Sequence, residues 1–187
     1  MFLKAKIKSE LKIKNDKHWS KKLTWLENKR KWFIDNYFNQ YVSYLIKHCN
    51  QNNIGNIVIG YNETWKQEIN LGKKNNQNFT NIPYFLFKRK LENKCIEYGI
   101  NFIQVNESYT SKCSSLDFES IEKQEKYLGR RIKRGLFKTS KGKLLNADVN
   151  GSLNILRKVV GDDFIQPIAD LMFNPIKIEN NFNKIFV

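Results

Sequence analysis

Gly55-Asn56-Ile57-Val58-Ile59-Gly60 places a short β-branched run between two glycines, which reads as a buried strand. Further on, Ile100-Asn101-Phe102-Ile103-Gln104-Val105 reads as a second strand. Between them Pro83 suits a first helical turn, Phe85, Leu86, Leu91, Cys95 and Ile96 supply an apolar face, and Gly99 closes the helix. Strand, helix and strand in that order form a βαβ unit, whose crossover favours a parallel pair. Both strand ends then emerge on one edge of the sheet. The intervening residues 61–82, polar and rich in asparagine, are expected to form a long loop.

Upstream, a helical period begins near Leu23 and should end near Asn50–Asn53. Leu26, Phe33, Tyr37, Tyr41 and Leu45 fall on one face, with Ile34, Phe38, Val42 and Ile46 beside them. Residues 1–20 are lysine-rich and read as a basic arm or a frayed helix start. Downstream, residues 112–145 are charged and glycine-punctuated, and read as a basic insertion. A last helix should run from Asp148 to about Val160, burying Val149, Leu153 and Leu156, and stop at Gly161. The expected organisation is an α/β core from 21–111 and 146–160, the insertion at 112–145, and a wrapping tail at 161–187.

The chain of 187 residues carries 33 Lys and Arg against 18 Asp and Glu, a formal net charge of +15. That balance is unusual for an enzyme of small molecules and points to nucleic acid, because lysine and arginine displace counterions condensed on phosphate. The plainer alternative is the bias of a Lys- and Asn-heavy proteome. Cys49, Cys95 and Cys113 are scattered and odd in number, which argues against a disulfide framework and for a reducing compartment. Neither a signal peptide nor an apolar run of membrane-spanning length is seen, so an intracellular protein, cytoplasmic or nucleoid-associated, is expected.

Against this basic background two carboxylates stand at element boundaries. Glu107 follows the second strand and Asp148 opens the last helix. Two acids so placed in a basic chain suggest a metal site that works on polyanions. The same residues also suit a cap or a helix-start charge.

Four blocks carry a likeness to a known family: Tyr109-Thr110-Ser111-Lys112-Cys113; Asn146-Ala147-Asp148-Val149-Asn150-Gly151-Ser152-Leu153-Asn154-Ile155-Leu156; Trp65-Lys66-Gln67-Glu68; and Asn75-Asn76-Gln77-Asn78-Phe79. They resemble the C-terminal part of TnpB, the OrfB-type transposon-encoded proteins related to Fanzor and to type V CRISPR effectors. The resemblance implies a RuvC-like nuclease domain of RNase H fold, incomplete at its N-terminus. It also implies RNA-guided DNA cleavage with bound magnesium, and DNA and guide RNA as partners.

On that resemblance Asp148 matches the third catalytic acid. The usual second acid ends an Ile-Val-Ile-Glu strand, where this chain has Gly60, and Glu107 takes its place in preference to Glu63 in the loop. The first acid, in a Gly-x-Asp-x-Gly strand, has no counterpart; Asp16 and Asp35 lie in an arm and a helix pattern. Magnesium is therefore expected to bind weakly or not at all, and a separate N-terminal fragment would be needed to complete the site. Lys66 and the run Arg130, Arg131, Lys133, Arg134 and Lys138 are the expected nucleic-acid contacts, the run reading otherwise as a solvated face.

The family's zinc ribbon looks degraded, since Cys113 is followed by Ser114-Ser115 and no second cysteine pair appears in 117–145. One cysteine cannot build a tetrahedral site, and no zinc is expected. Cys113 reads as a buried residue before a reactive thiol, and His48 as a surface or packing residue. Trp25, Trp32, Tyr37 and Phe38 read as core or interhelix contacts before base-stacking platforms; Trp65 is the better stacking candidate. Two functions compete: a nuclease of this lineage, inactive alone, and a non-catalytic, repressor-like DNA/RNA-binding protein. A non-functional fragment is the third possibility.

Overall fold

The computed structural model describes residues 2–16, 18–62 and 83–169. Lys66, Glu63 and Trp65 lie outside the described residues. The chain divides into two compact units, one of helices and one built on strands.

The helical unit holds α1 (Phe2–Asn15), α2 (Lys21–Gln51) and α3 (Tyr84–Glu97). The stretch expected as an arm or frayed helix start thus forms α1, which packs on α2 and pairs Lys4 with Glu27 at 2.6 Å. Ser20 caps α2, its hydroxyl accepting from the Leu23 amide. Both α2 and α3 stop through a left-handed residue, Asn53 (φ 54°) and Gly99 (φ 68°). In each case the next amide reaches back to a cysteine carbonyl, Ile54 to Cys49 and Ile100 to Cys95, both at 2.9 Å. Each helix then delivers the chain into a strand.

α2 packs on α3, and Val42, Ile46 and Cys49 of α2 and Leu91 and Cys95 of α3 are buried. The Phe87 ring sits against Phe38 and Tyr41, and Lys90 bonds Asn39 and pairs with Asp35. The buried face is therefore the one holding Val42 and Ile46. Phe33 and Tyr37, expected inside with Tyr41, are exposed, as are Trp25 and Trp32. Periodicity located an apolar sector on α2 but not the narrower part of it that meets α3.

In the second unit β1 (Asn56–Tyr61) and β2 (Asn101–Asn106) pair in parallel, with Ile57 opposite Phe102 and Gly60 opposite Val105. The Asn101 side-chain amide donates to the Asn56 side-chain oxygen at the start of the pair. Residues 112–145, expected as a charged insertion, contribute most of an antiparallel sheet: β3 (Arg130–Lys133), β4 (Leu136–Lys138) and β5 (Leu144–Asn146) in the order β3-β4-β5. Gly135, at φ 76°, makes the turn between β3 and β4. β5 passes directly into α4 (Ala147–Val160), and α5 (Asp162–Ala169) follows, so the expected tail begins as a helix. Phe137, Leu145 and Ala147 bury against Leu116, while Leu153 and Ile165 bury against Leu116, Phe118, Val149 and Leu156.

Candidate nucleic-acid and metal site

The parallel register brings the C-terminal ends of β1 and β2 to one edge, as the crossover predicted. The Glu107 amide donates to the Tyr61 carbonyl at 3.1 Å, extending the ladder by one residue. Beyond it the chain turns sharply: the Asn106 side chain accepts from the Ser108 amide, and the Thr110 hydroxyl and amide both donate to the Glu107 carbonyl. Lys158, on α4, donates to the carbonyls of Asn106 and Ser108 at 2.7 and 3.0 Å, one on each side of Glu107. The backbone carrying Glu107 is fixed from both directions.

Its carboxylate lies over Gly60. A β-carbon built on Gly60 would stand 2.8 Å from Glu107 Oε2, 2.9 Å from Glu107 Cβ and 2.7 Å from Ile155 Cδ1. The space a side chain at position 60 would enter is thus taken by Glu107 and by Ile155 of α4. Glycine is the residue that admits both.

Asp148 stands in the first turn of α4, where a carboxylate complements the exposed helix amides. The cap itself is Asn146, whose side-chain oxygen accepts from the amides of Asp148 (2.8 Å) and Val149 (3.3 Å). The Asp148 side chain remains 89 % exposed and lies 3.8 Å from the Arg131 guanidinium. Asp148 and Ile155 are seven positions apart, which puts them on the same face of α4, two turns or about 10 Å apart along the axis. Glu107 and Ile155 both border Gly60, and Asp148 lies two turns before Ile155 on α4. Among the described residues, no group of three or more His, Cys, Asp or Glu is arranged to hold a metal ion.

Arg130, Arg131, Lys133, Arg134 and Lys138 are all exposed, on or beside the β3–β4 hairpin. Arg130 stands directly opposite Lys138 in the register. Like charges facing across a strand pair oppose each other unless an anion sits between them.

Sequence reasoning missed what holds the loop after β2. Asn150, Asn154 and Arg157 of α4 were polar positions beside an apolar face, yet all three are buried. Asn150 accepts from the Ser115 amide and hydroxyl and donates to the Cys113 carbonyl, each at 2.9 Å. Asn154 donates to the carbonyls of Thr110 and Cys113. Arg157 donates to Asn154 Oδ1 and the Glu119 carbonyl, and forms a two-point pair with Asp162. The buried Glu119 carboxylate accepts from the amides of Ser114 and Leu128. Asp117 accepts from the Ser114 hydroxyl and from the amide and hydroxyl of Ser140. Partial burial pushes the Asp117 carboxyl up, but these hydrogen bonds outweigh it and hold the group below the ordinary carboxylate range. Cys113 is fully buried, and burial raises its thiol. Three asparagines of the 146–156 block therefore have distinct structural tasks: one caps α4 and two fix the Thr110–Ser115 turn.

The same segments match known proteins. Residues 84–155 match the family model "Cas12f1-like, TNB domain". A TnpB-like protein, ORF457 of Acidianus two-tailed virus, is 30 % identical over 127 residues. The chain is TnpB/Cas12f-like. A Cas12f1 chain, solved by cryo-electron microscopy in a complex with sgRNA and target DNA, is 26 % identical with a TM-score of 0.54 over 72 % of this chain. The fold is accordingly the mixed α/β, RuvC/RNase H-like type that the family resemblance implied. The viral match takes in 66 % of this TnpB/Cas12f-like chain but 24 % of the viral protein, and the structural match 36 % of the Cas12f1 chain. No helix among the described residues is long and apolar enough to cross a membrane.

Proposed function

We propose that this TnpB/Cas12f-like chain binds DNA and RNA and carries two acids of a RuvC-like nuclease site, Glu107 as the relocated second acid and Asp148 as the third. The observation that carries the reading is the Glu107 carboxylate lying over Gly60, the position at which the family's strand ends in glutamate. Carboxylate oxygens are the right chemistry for magnesium, but two of them, with no third ligand among the described residues, do not fit the metal pair of a phosphodiesterase. Nucleic-acid binding is the activity expected of the chain by itself, and cleavage requires a further carboxylate supplied by a complementing segment.

The binding surface we assign is the β3–β4 hairpin, because the Arg130–Lys138 pair is relieved by a bridging phosphate. We read residues 112–145 as the place of a lost zinc ribbon, whose fastening is taken over by the hydrogen bonds of Asp117, Glu119, Asn150 and Arg157. Electrophoretic shift across a salt series tests the reading. Affinity should fall steeply with salt, and replacing Arg130 and Lys138 with glutamine should lower the slope by about one for each phosphate no longer neutralised. An absence of binding at low salt would refute it.

A further inference from the structure

The exposed tryptophans of α2 have no task in the site just described. Trp25 and Trp32 are 57 % and 56 % exposed. Lys22, Trp25, Lys29 and Trp32 recur at intervals of three, four and three, which aligns them along one helix face. Lys29 Nζ stands 4.9 Å from the Trp25 ring centroid, a cation–π contact at the surface. Beside this row Phe33 stacks on Tyr37 and Tyr37 on Tyr41, at 6.5 and 6.4 Å.

The charge around the row is of one sign. The helix has two carboxylates, and both are paired with lysines from other helices, Glu27 with Lys4 and Asp35 with Lys90. Lys21, Lys22, Lys29, Arg30 and Lys31 crowd the same half of α2. A protein partner would have to desolvate these lysines, and lysine is depleted from protein–protein interfaces. Nucleic acid suits both features, since phosphates meet the lysines and bases stack on the indoles. In a duplex the base faces are already stacked on one another. The two indoles lie about 10 Å apart along the helix, far enough for each to take a separate unstacked base of one strand.

We infer that the Lys22–Trp25–Lys29–Trp32 face of α2 is a stacking platform for single-stranded nucleic acid. It extends the nucleic-acid reading above and depends on neither the metal site nor the hairpin. The test is fluorescence anisotropy of labelled oligothymidylate, oligouridylate and a duplex, titrated with the full chain without magnesium. The wild type should bind both single strands more tightly than the duplex, and the two single-strand arms show whether DNA or RNA is preferred. Trp25→Ala and Trp32→Ala should each weaken single-strand binding about tenfold, with little change in salt slope. The double Trp→Phe variant should recover most of the affinity, and Arg130→Gln with Lys138→Gln should leave the single-strand preference in place. Circular dichroism confirms the helix content of each variant. Single-strand binding by the double alanine variant within twofold of wild type would overturn the inference while leaving the nucleic-acid reading intact. So would loss, in that variant, of a concentration-dependent self-association seen by sedimentation, which would make the face a contact between two copies. No binding of any oligonucleotide by the wild type at low salt would instead remove the nucleic-acid reading itself.

Discussion

Replacing Asn150 with alanine should be among the most damaging single changes in the strand-containing unit. The side chain is fully buried and makes three hydrogen bonds at 2.9 Å, two accepted from Ser115 and one donated to the Cys113 carbonyl. The Cys113 carbonyl keeps a second donor, Asn154. The Ser115 amide and hydroxyl lose the acceptor they share, on a residue that is itself 0 % exposed. A buried donor left unsatisfied costs about 1–3 kcal/mol, so two orphaned donors imply a loss of about 2–6 kcal/mol. That is a large fraction of a typical domain stability of about 5–15 kcal/mol. Urea unfolding followed by circular dichroism should show the midpoint falling with the slope unchanged. Asn150→Asp keeps the acceptors but turns a carboxylate toward the Cys113 carbonyl, and should also destabilise. Ser152→Ala, on the exposed side of the same helix, is the control and should stay within about 0.5 kcal/mol. A loss below about 1 kcal/mol for Asn150→Ala would refute the claim that this network fastens the loop to α4.

Gly60→Ala should destabilise by about 1–3 kcal/mol, because its β-carbon meets Ile155 and Glu107 inside contact distance. Gly55→Ala, with nothing within 4 Å, should be neutral or slightly stabilising, and thermal melts of the two variants give the comparison. Asp117→Asn turns one of the two oxygens that accept from Ser114 and Ser140 into a donor, and should cost about 1–3 kcal/mol at neutral pH. The folded-state pKa of Asp117 is depressed, so its contribution is present above the unfolded value of about 3.9 and is lost as pH falls through the folded one. The gap between wild type and Asp117→Asn should therefore close in acid, and a gap that stays constant from neutral pH down to about pH 3 would contradict the assignment.

The elements that place the candidate site were legible because their signals are local. The β-branched run before Gly60, the Pro83 start, the Gly99 stop and the Gly161 stop each fix a boundary, and β1, α3, β2 and α4 appear within a residue or two of expectation. Parallel pairing followed from connectivity and in turn set Glu107 one residue beyond the ladder from Tyr61. Residues 112–145 were opaque for the opposite reason. β3, β4 and β5 are three or four residues long, too short to display an alternation, and β3 is exposed throughout. Asn150 and Asn154 bond to carbonyls and amides 35 to 44 residues away on an irregular turn, a relation no helical period encodes. On α2 Trp25 and Trp32 recur at helical spacing, a pattern that favoured burial where both are exposed.

One gel tests the central claim most directly. End-labelled DNA is incubated with the purified chain in magnesium at low salt, beside Asp148→Ala and Glu107→Gln, and read for both shift and scission. Two acids with no third beside them among the described residues predict shifted, intact DNA in all three lanes. Cleavage by the unaltered chain that Asp148→Ala abolishes would contradict the incomplete site, and intact DNA with no shift would contradict nucleic-acid binding.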